Sequence, residues 1–210
     1  MRIQQYVAIV ISITIATLAV GFLLWESEEQ QTLSPGNSHA PGEGWYRGAE
    51  DAPVILDAFP DFECPICIEK ERLVMQALDL YPQEVKLIYH HYPYSAFSYK
   101  LTEGLEAAGE QGKFWQMHDK FLEDVPDNIS ELLAVSEGLG LDMQRFTEAL
   151  DSGKFAETVQ LAKQEAISRG VQQVSLFING KEYQKYPGTL ADLCHEIDTE
   201  LERQAGNGIN

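Results

Sequence analysis

The chain has 210 residues, with 33 acidic and 15 basic side chains and a formal net charge of −18. This charge repels phosphate backbones and so argues against nucleic acid as a partner. Hydrophobic residues make up 44% of the chain, which excludes general disorder, and three cysteines are too few for a disulfide-stapled scaffold.

The N-terminal segment, residues 1–25, is predicted to be a single transmembrane anchor. Residues 6–25 carry no charge and are bracketed by Tyr6 and Trp25, as aromatic residues at two membrane interfaces would be. As a helix this run would span about 30 Å, the thickness of a bilayer core. Arg2 before it and acidic residues after it put the N-terminus in the cytoplasm. The C-terminal domain then lies in the periplasm or another extracytoplasmic space.

A cleaved signal peptide is the alternative for this segment. Signal peptides have an apolar region of only about 7–15 residues, which ends at a small-x-small site. Here the apolar run is longer and ends in Leu23-Leu24-Trp25-Glu26, without such a site. We therefore expect an uncleaved anchor, and either form would export the domain.

The rest of the chain is predicted to be a flexible acidic linker over residues 26–48, followed by a folded domain over residues 49–203. The linker is rich in Pro, Gly and Ser and has no apolar period. In the domain, apolar patterns and capping residues predict elements in this order: a strand over 54–59, a helix after Cys67, a strand over 85–92, helices over about 97–170, strands over 174–178 and 181–186, and a last helix with a Thr189/Asp192 capping box. This order predicts an α/β domain with a helical insertion.

The chemistry of the domain is predicted to reside in Cys64-Pro65-Ile66-Cys67, at a strand-to-helix junction. Two cysteines at this spacing can close a disulfide, and the free N–H groups at a helix start favour a thiolate. Cys64 is the predicted exposed nucleophile, and Cys67, one turn into the helix, the resolving thiol. Pro65 suits the first helical turn because its missing N–H is not needed there. This chemistry requires no organic cofactor.

Two other interpretations of the pair remain open. A structural disulfide would close a loop of only four residues, which constrains the unfolded chain weakly. A zinc site would need a second pair of ligands, and no two histidines have the usual zinc-finger spacing. Cys194 lies beside the apolar stripe of the last helix and is predicted to be a buried, inert thiol.

Several segments, in the same order over residues 47–201, resemble the DsbA-like branch of the thioredoxin superfamily. The matching stretches are GAEDAPV at 48–54, FPDFECPIC at 59–67, YHHYP at 89–93, AAGEQGKFWQMHD at 107–119 and FING at 177–180. The resemblance implies a thioredoxin-like fold with a helical insertion. It also implies that disulfides of exported proteins are formed, reduced or isomerised, and that a membrane or extracytoplasmic redox partner resets the site.

The chain departs from the family pattern at two places. Where the resemblance implies a cis-proline loop that binds substrate, this sequence has Gln173 and Val174, and a cis bond without proline costs about 2.5–4 kcal/mol. Where it implies an acidic residue that relays a proton to the resolving thiol, this sequence has Ala58. Asp57 is one place earlier, on the opposite face of a strand.

The residues around Cys64 predict how acidic its thiol is and how oxidising the cysteine pair is. Glu63 adds a negative charge beside Cys64, and Ile66 supplies none to offset it. A like charge disfavours ionisation, so we expect a higher thiol pKa and a less oxidising couple than in a strong disulfide donor.

The sequence leaves three hypotheses for function. The first is a protein disulfide oxidoreductase that acts on exported protein thiols. The second is a redox-weak binding or chaperone-like module, because the cis-proline is absent. The third is a metal or cluster site built on the two thiolates.

Overall fold

The computed structural model describes residues 44–171, 175–183 and 188–207. The predicted anchor over 1–25 and almost all of the predicted linker lie outside these residues. No helix within the described ranges is both long enough and apolar enough to cross a membrane.

The described elements alternate strands and helices around one block of helices. Their bounds are β1 Trp45–Gly48, β2 Val54–Phe59, α1 Pro65–Leu80, β3 Val85–Tyr89, α2 Ala96–Gly109, α3 Phe114–Glu123, α4 Ile129–Gly138, α5 Met143–Ser152, α6 Ala156–Ser168, β4 Ser175–Ile178, β5 Lys181–Glu182 and α7 Leu190–Asn207.

The strands form a five-stranded mixed sheet in the order β1-β3-β2-β4-β5. β2 is central: it pairs in parallel with β3 and antiparallel with β4. Successive side chains of β2 point to opposite faces, as strand geometry requires. Leu56 and Ala58 join the main hydrophobic core, whereas Phe59 packs in a smaller cluster with Tyr92, Ala166 and Val171.

Helix α1 begins directly after Cys64, which is the N-cap in an extended conformation, with Pro65 at the first helical position. It buries Cys67, Val74, Ala77 and Leu78 against the core. The chain leaves the helix at Tyr81, and a proline follows. The sheet and α1 together therefore hold the cysteine pair at the end of β2.

Most predicted elements are confirmed, with differences at their ends. β2 has the predicted bounds, and helices α2 to α6 occupy the predicted insertion. β3 ends at Tyr89 rather than residue 92, although the backbone N–H of His90 still donates to the carbonyl of Ala58 at 2.8 Å. The Thr189/Asp192 capping box is present at the start of α7.

Two predicted bounds need correction or lie outside the described residues. The predicted linker extends to residue 48, but residues 45–48 form strand β1, which pairs with β3. β4 begins at Ser175 and β5 covers only Lys181–Glu182, so the predicted strand is wrong at Tyr183, which lies outside it. The predicted strand residues 174 and 184–186 are outside the described ranges.

Candidate functional site

The turn between β2 and α1 is fixed by Asp61, which is 4% exposed. Its carboxylate accepts hydrogen bonds from the backbone N–H groups of Glu63 and Tyr94, each at 2.8 Å. Its backbone carbonyl accepts one from the N–H of Cys64 at 3.1 Å. Asp61 thus ties the cysteine turn to the segment after β3. Asp61 was not among the predicted site residues, although an aspartate two residues before a turn N–H is typical of an Asx turn.

Cys64 and Cys67 form a disulfide, with their Cα atoms 5.2 Å apart. Cys64 is half-buried and Cys67 is fully buried, whereas Pro65 and Ile66 are exposed. A visiting sulfur can therefore reach Cys64 more easily than Cys67. This favours the predicted roles of nucleophile for Cys64 and resolving thiol for Cys67, and both roles stay predictions.

Helix α1 supplies the local field at Cys64. The carbonyl of Cys64 accepts the N–H groups of Cys67 at 2.9 Å and Ile68 at 3.2 Å, so Cys64 stands at the positive end of the helix dipole. A thiolate on its side chain would be stabilised there, as at other cysteines that precede a helix.

Glu63 is exposed, and its carboxylate contacts the start of α2. It accepts hydrogen bonds from the backbone N–H of Ser98 at 2.8 Å and from the hydroxyl of Ser95. The positive end of a second helix therefore offsets part of the negative charge beside Cys64.

A groove of about 420 Å³ opens beside Pro65. Its walls come from α1, the start of α2 and the loop after α3, and they combine apolar, acidic and basic side chains: Phe62, Glu63, Pro65, Ile68, Glu69, Arg72, Phe97, Val125, Pro126 and Asp127. The groove is large enough to hold an amino-acid side chain. The groove could not be predicted from local sequence patterns, because its walls come from segments far apart in the chain.

Asp57 lies on the face of β2 opposite to Ala58. Its carboxylate is 2.9 Å from Nε2 of His90 and 3.6 Å from a guanidinium nitrogen of Arg169. Ala58, by contrast, packs in the main core together with Ile68 of α1. Asp57 thus lies on the opposite face from Ala58, as strand alternation predicts, and a part for Asp57 in the proton relay stays a prediction. Gln173 and Val174 of the predicted substrate loop lie outside the described residues.

A second buried acidic group, Glu71, lies one turn beyond Cys67 in α1. Glu71 and His118 of α3 are both fully buried, with Oε1 of Glu71 3.4 Å from Nε2 of His118. Burial disfavours the imidazolium, but the carboxylates of Asp119 and Glu71 outweigh it and raise the pKa of His118 above its ordinary value. Burial, together with the charges of Glu71, Asp61 and Glu106, raises the pKa of Tyr89.

The remaining cysteine differs from its prediction. Cys194 is half-buried rather than buried, because it lies at the edge of the apolar stripe of α7, near Tyr81. Across residues 44–171, 175–183 and 188–207, no three His, Cys, Asp or Glu side chains are grouped so that they could hold a metal ion.

The family model described as thioredoxin matches residues 40–198 of the chain. The chain belongs to the thioredoxin family. Within this family its fold is that of DsbA-like proteins. It superposes on oxidised BdbD from Bacillus subtilis with a TM-score of 0.68 and 20% identity, covering 81% of this chain and 98% of that one. It also superposes on the thiol-disulfide exchange protein alpha-DsbA2 from Wolbachia pipientis, with a TM-score of 0.64 and 19% identity, over 73% and 85% of the two chains.

This thioredoxin-family chain is also similar to part of a much longer protein. It is 33% identical over 151 residues to the Na(+)/H(+) antiporter NhaA 3 of Salinispora tropica, over 68% of this chain but only 22% of that protein. The chain therefore spans about a fifth of that relative's length. The name of that relative refers to the whole longer protein, of which this chain matches only a part.

Proposed function

We propose that the chain is a membrane-anchored, extracytoplasmic thiol–disulfide oxidoreductase that exchanges disulfides with exported protein thiols. The observation that carries the proposal is the Cys64–Cys67 disulfide at the start of α1, with Cys64 nearer the surface and Cys67 buried. Family membership and the DsbA-like fold support it, since alpha-DsbA2 is itself described as a thiol-disulfide exchange protein.

The exchange proceeds in two steps. A thiolate of the substrate attacks Sγ of Cys64, the Cys64–Cys67 bond breaks, and Cys67 leaves as a thiolate that takes up a proton. A second substrate thiolate then attacks the substrate sulfur of the mixed disulfide, and Cys64 leaves as a thiolate. The substrate loses two electrons to the cysteine pair. The reverse sequence reduces a substrate disulfide.

Two standard assays test the activity and the direction of electron flow. Insulin reduction with a dithiol reductant measures reductase activity, and oxidation of reduced ribonuclease measures disulfide formation. We expect wild type to be active in at least one assay, Cys64→Ser to be inactive in both, and Cys194→Ser to match wild type. If wild type and Cys64→Ser are equally inactive in both assays, the proposal is wrong.

The membrane part of the proposal is supported by the uncharged run at residues 6–25 and by the charges on either side of it. Fractionation of expressing cells tests it. We expect the chain to stay in the membrane pellet after alkaline extraction, with its C-terminal domain accessible to protease from the extracytoplasmic side. Release by alkali, or protection of the C-terminal domain from external protease, would contradict it.

A further inference from the structure

The starting observation is a buried carboxylate on the same face of α1 as the resolving thiol. Cys67 and Glu71 are four residues apart, a spacing that puts two side chains next to each other on a helix. Both are fully buried. Within the described part of the chain, neither carboxylate oxygen of Glu71 makes a hydrogen bond of ordinary geometry, and Oε1 has a looser ion-pair contact of 3.4 Å with Nε2 of His118. A buried carboxylate without hydrogen bonds costs several kcal/mol, so its presence calls for a functional explanation.

A line of titratable groups leads from Glu71 to the protein surface. Nε2 of His118 is 3.4 Å from Glu71, and Nδ1 of His118 is 3.1 Å from Oδ1 of Asp119. The Asp119 side chain is 46% exposed and is held by two hydrogen bonds from Arg47 at 2.9 and 3.0 Å. The two ring nitrogens of His118 therefore face one buried and one solvent-accessible carboxylate.

The surroundings keep water away from this line. The His118 ring makes edge contacts with Phe62, Tyr89 and Trp115, with ring centroids 5.0–5.7 Å apart. The other titratable groups that influence this region are Tyr89 on β3, Asp61 in the turn before α1 and Glu106 on α2, whose charge acts on Tyr89. Asp57 does not belong to it, because its partners are His90 and Arg169 on the other face of β2.

We propose that Glu71 accepts the proton of the Cys67 thiol and that His118 connects it to Asp119 at the surface. The inference rests on the proposed function, because only thiol–disulfide exchange requires Cys67 to lose and regain a proton. In reduction of a substrate disulfide, Cys64 is joined to a substrate sulfur. The Cys67 thiol gives its proton to Glu71, and the Cys67 thiolate attacks Sγ of Cys64. The Cys64–substrate bond breaks, and the substrate sulfur leaves as a thiolate.

The same groups work in the opposite direction when the substrate is oxidised. Cys67 then leaves as a thiolate and takes a proton from Glu71, which His118 replaces from Asp119 and solvent. The carboxylates of Asp119 and Glu71 favour the imidazolium form of His118 and raise its pKa, despite burial. His118 therefore lies between two carboxylates that favour its protonated form.

Stopped-flow reaction of the reduced full chain with dithiobis(nitrobenzoate) separates the two sulfur steps. In the first phase, Cys64 attacks the reagent and releases one nitrothiobenzoate. In the second, Cys67 attacks the mixed disulfide and releases another. A Cys194→Ser background removes the third cysteine. Because Cys64 reacts without the help of Glu71, the first phase is an internal control for each variant.

We expect Glu71→Gln to slow the second phase by roughly 10²-fold, the lower end of what general acid–base catalysis contributes, and to leave the first unchanged. His118→Gln should also slow the second phase. Wild type should show an ionisation in the pH profile of the second phase that both variants lose. The matched control is Glu106→Gln, which alters another buried glutamate paired with a histidine, His91, away from α1; it should leave the second phase unchanged.

The alternatives give different results. If Glu71 acted only by its negative charge, Glu71→Gln would lower the pKa of Cys67 and make the second phase faster, which would overturn the proposal. Equal slowing of both phases, or equal slowing by Glu106→Gln, would show a structural role and also overturn it. If Glu71→Gln does not fold, an unchanged second phase in His118→Gln overturns it. A wild-type chain without a second phase would instead refute the proposed function itself.

Discussion

The carboxylate of Glu63 accepts a hydrogen bond of 2.8 Å from the backbone N–H of Ser98, which joins the residue next to Cys64 to the start of α2. The negative charge predicted from the sequence to raise the pKa of Cys64 is thus shared with a second helix N-terminus. Both effects act on the thiolate of reduced Cys64. The dipole of α1 stabilises this thiolate, and the partly offset charge of Glu63 destabilises it.

This relationship predicts the pKa of the Cys64 thiol. We expect the pKa of this thiol to lie above the acidic end of the range found for activated cysteines, and to fall in Glu63→Gln, because a like charge is removed. The pH dependence of thiolate absorbance in the reduced protein measures both. Glu69→Gln, an exposed carboxylate further along α1, is the control. A wild-type pKa near the acidic end of the range would contradict the prediction.

Packing between β1 and α2 gives a prediction about stability. A Cβ atom at Gly109 would clash with the ring of Trp45, which is buried and stacks on Phe114 with ring centroids 4.2 Å apart. We expect Gly109→Ala to lower the free energy of unfolding by about 1–3 kcal/mol, the usual cost of overpacking a core. Urea denaturation measures this change.

The matched control is Gly138→Ala at the end of α4, where a Cβ atom meets nothing within 4 Å. This change should leave stability unchanged or raise it by about 0.4–1 kcal/mol, because alanine restricts the unfolded chain. Equal stabilities of the two variants would show that Trp45 does not pack on Gly109.

The raised pKa of His118 predicts that the stability of the fold depends on pH. Its pKa is raised above the ordinary value of 6.5, so the imidazolium stabilises the fold fully below pH 6.5 and loses this effect as the pH rises through the folded-state value. Asp119, whose pKa is lowered from 3.8 by His118 and Arg47 despite burial, contributes above pH 3.8 and loses its effect as the pH falls through its folded-state value.

The difference in unfolding free energy between wild type and His118→Gln should therefore be largest between these two ordinary values and shrink at alkaline pH. Urea denaturation at a series of pH values measures it, with His195→Gln on the exposed side of α7 as the comparison. A difference that grows as the pH rises above 6.5 would be the wrong sign for this account.

The sequence predicted the parts of the fold that local patterns determine. The apolar run of β2, the proline after Cys64 and the Thr189/Asp192 box each act within a few residues, and each was found where expected. The placement of Asp57 on the face opposite Ala58 followed from strand alternation alone.

Contacts between residues far apart in the chain could not be predicted from local sequence patterns. Residues 45–48 were predicted to be the end of the polar linker. They form a strand only because they pair with β3, which lies about 40 residues further along the chain. In the sequence, Glu71 looks like an ordinary solvent-exposed helix residue. In the fold it is buried beside His118, because α3 packs against α1. Glu71, His118 and the groove were therefore missed, whereas a disulfide between Cys64 and Cys67 was expected from their spacing.

The most direct test of the account is capture of a mixed disulfide on Cys64. In a Cys67→Ser variant incubated with a disulfide-containing substrate protein, the resolving step is blocked, and non-reducing mass spectrometry should find an equimolar adduct on the Cys64 peptide. Cys64→Ser should give none. An absence of adduct on Cys64, or an adduct on Cys194 instead, would contradict the central claim that this cysteine exchanges disulfides with other proteins.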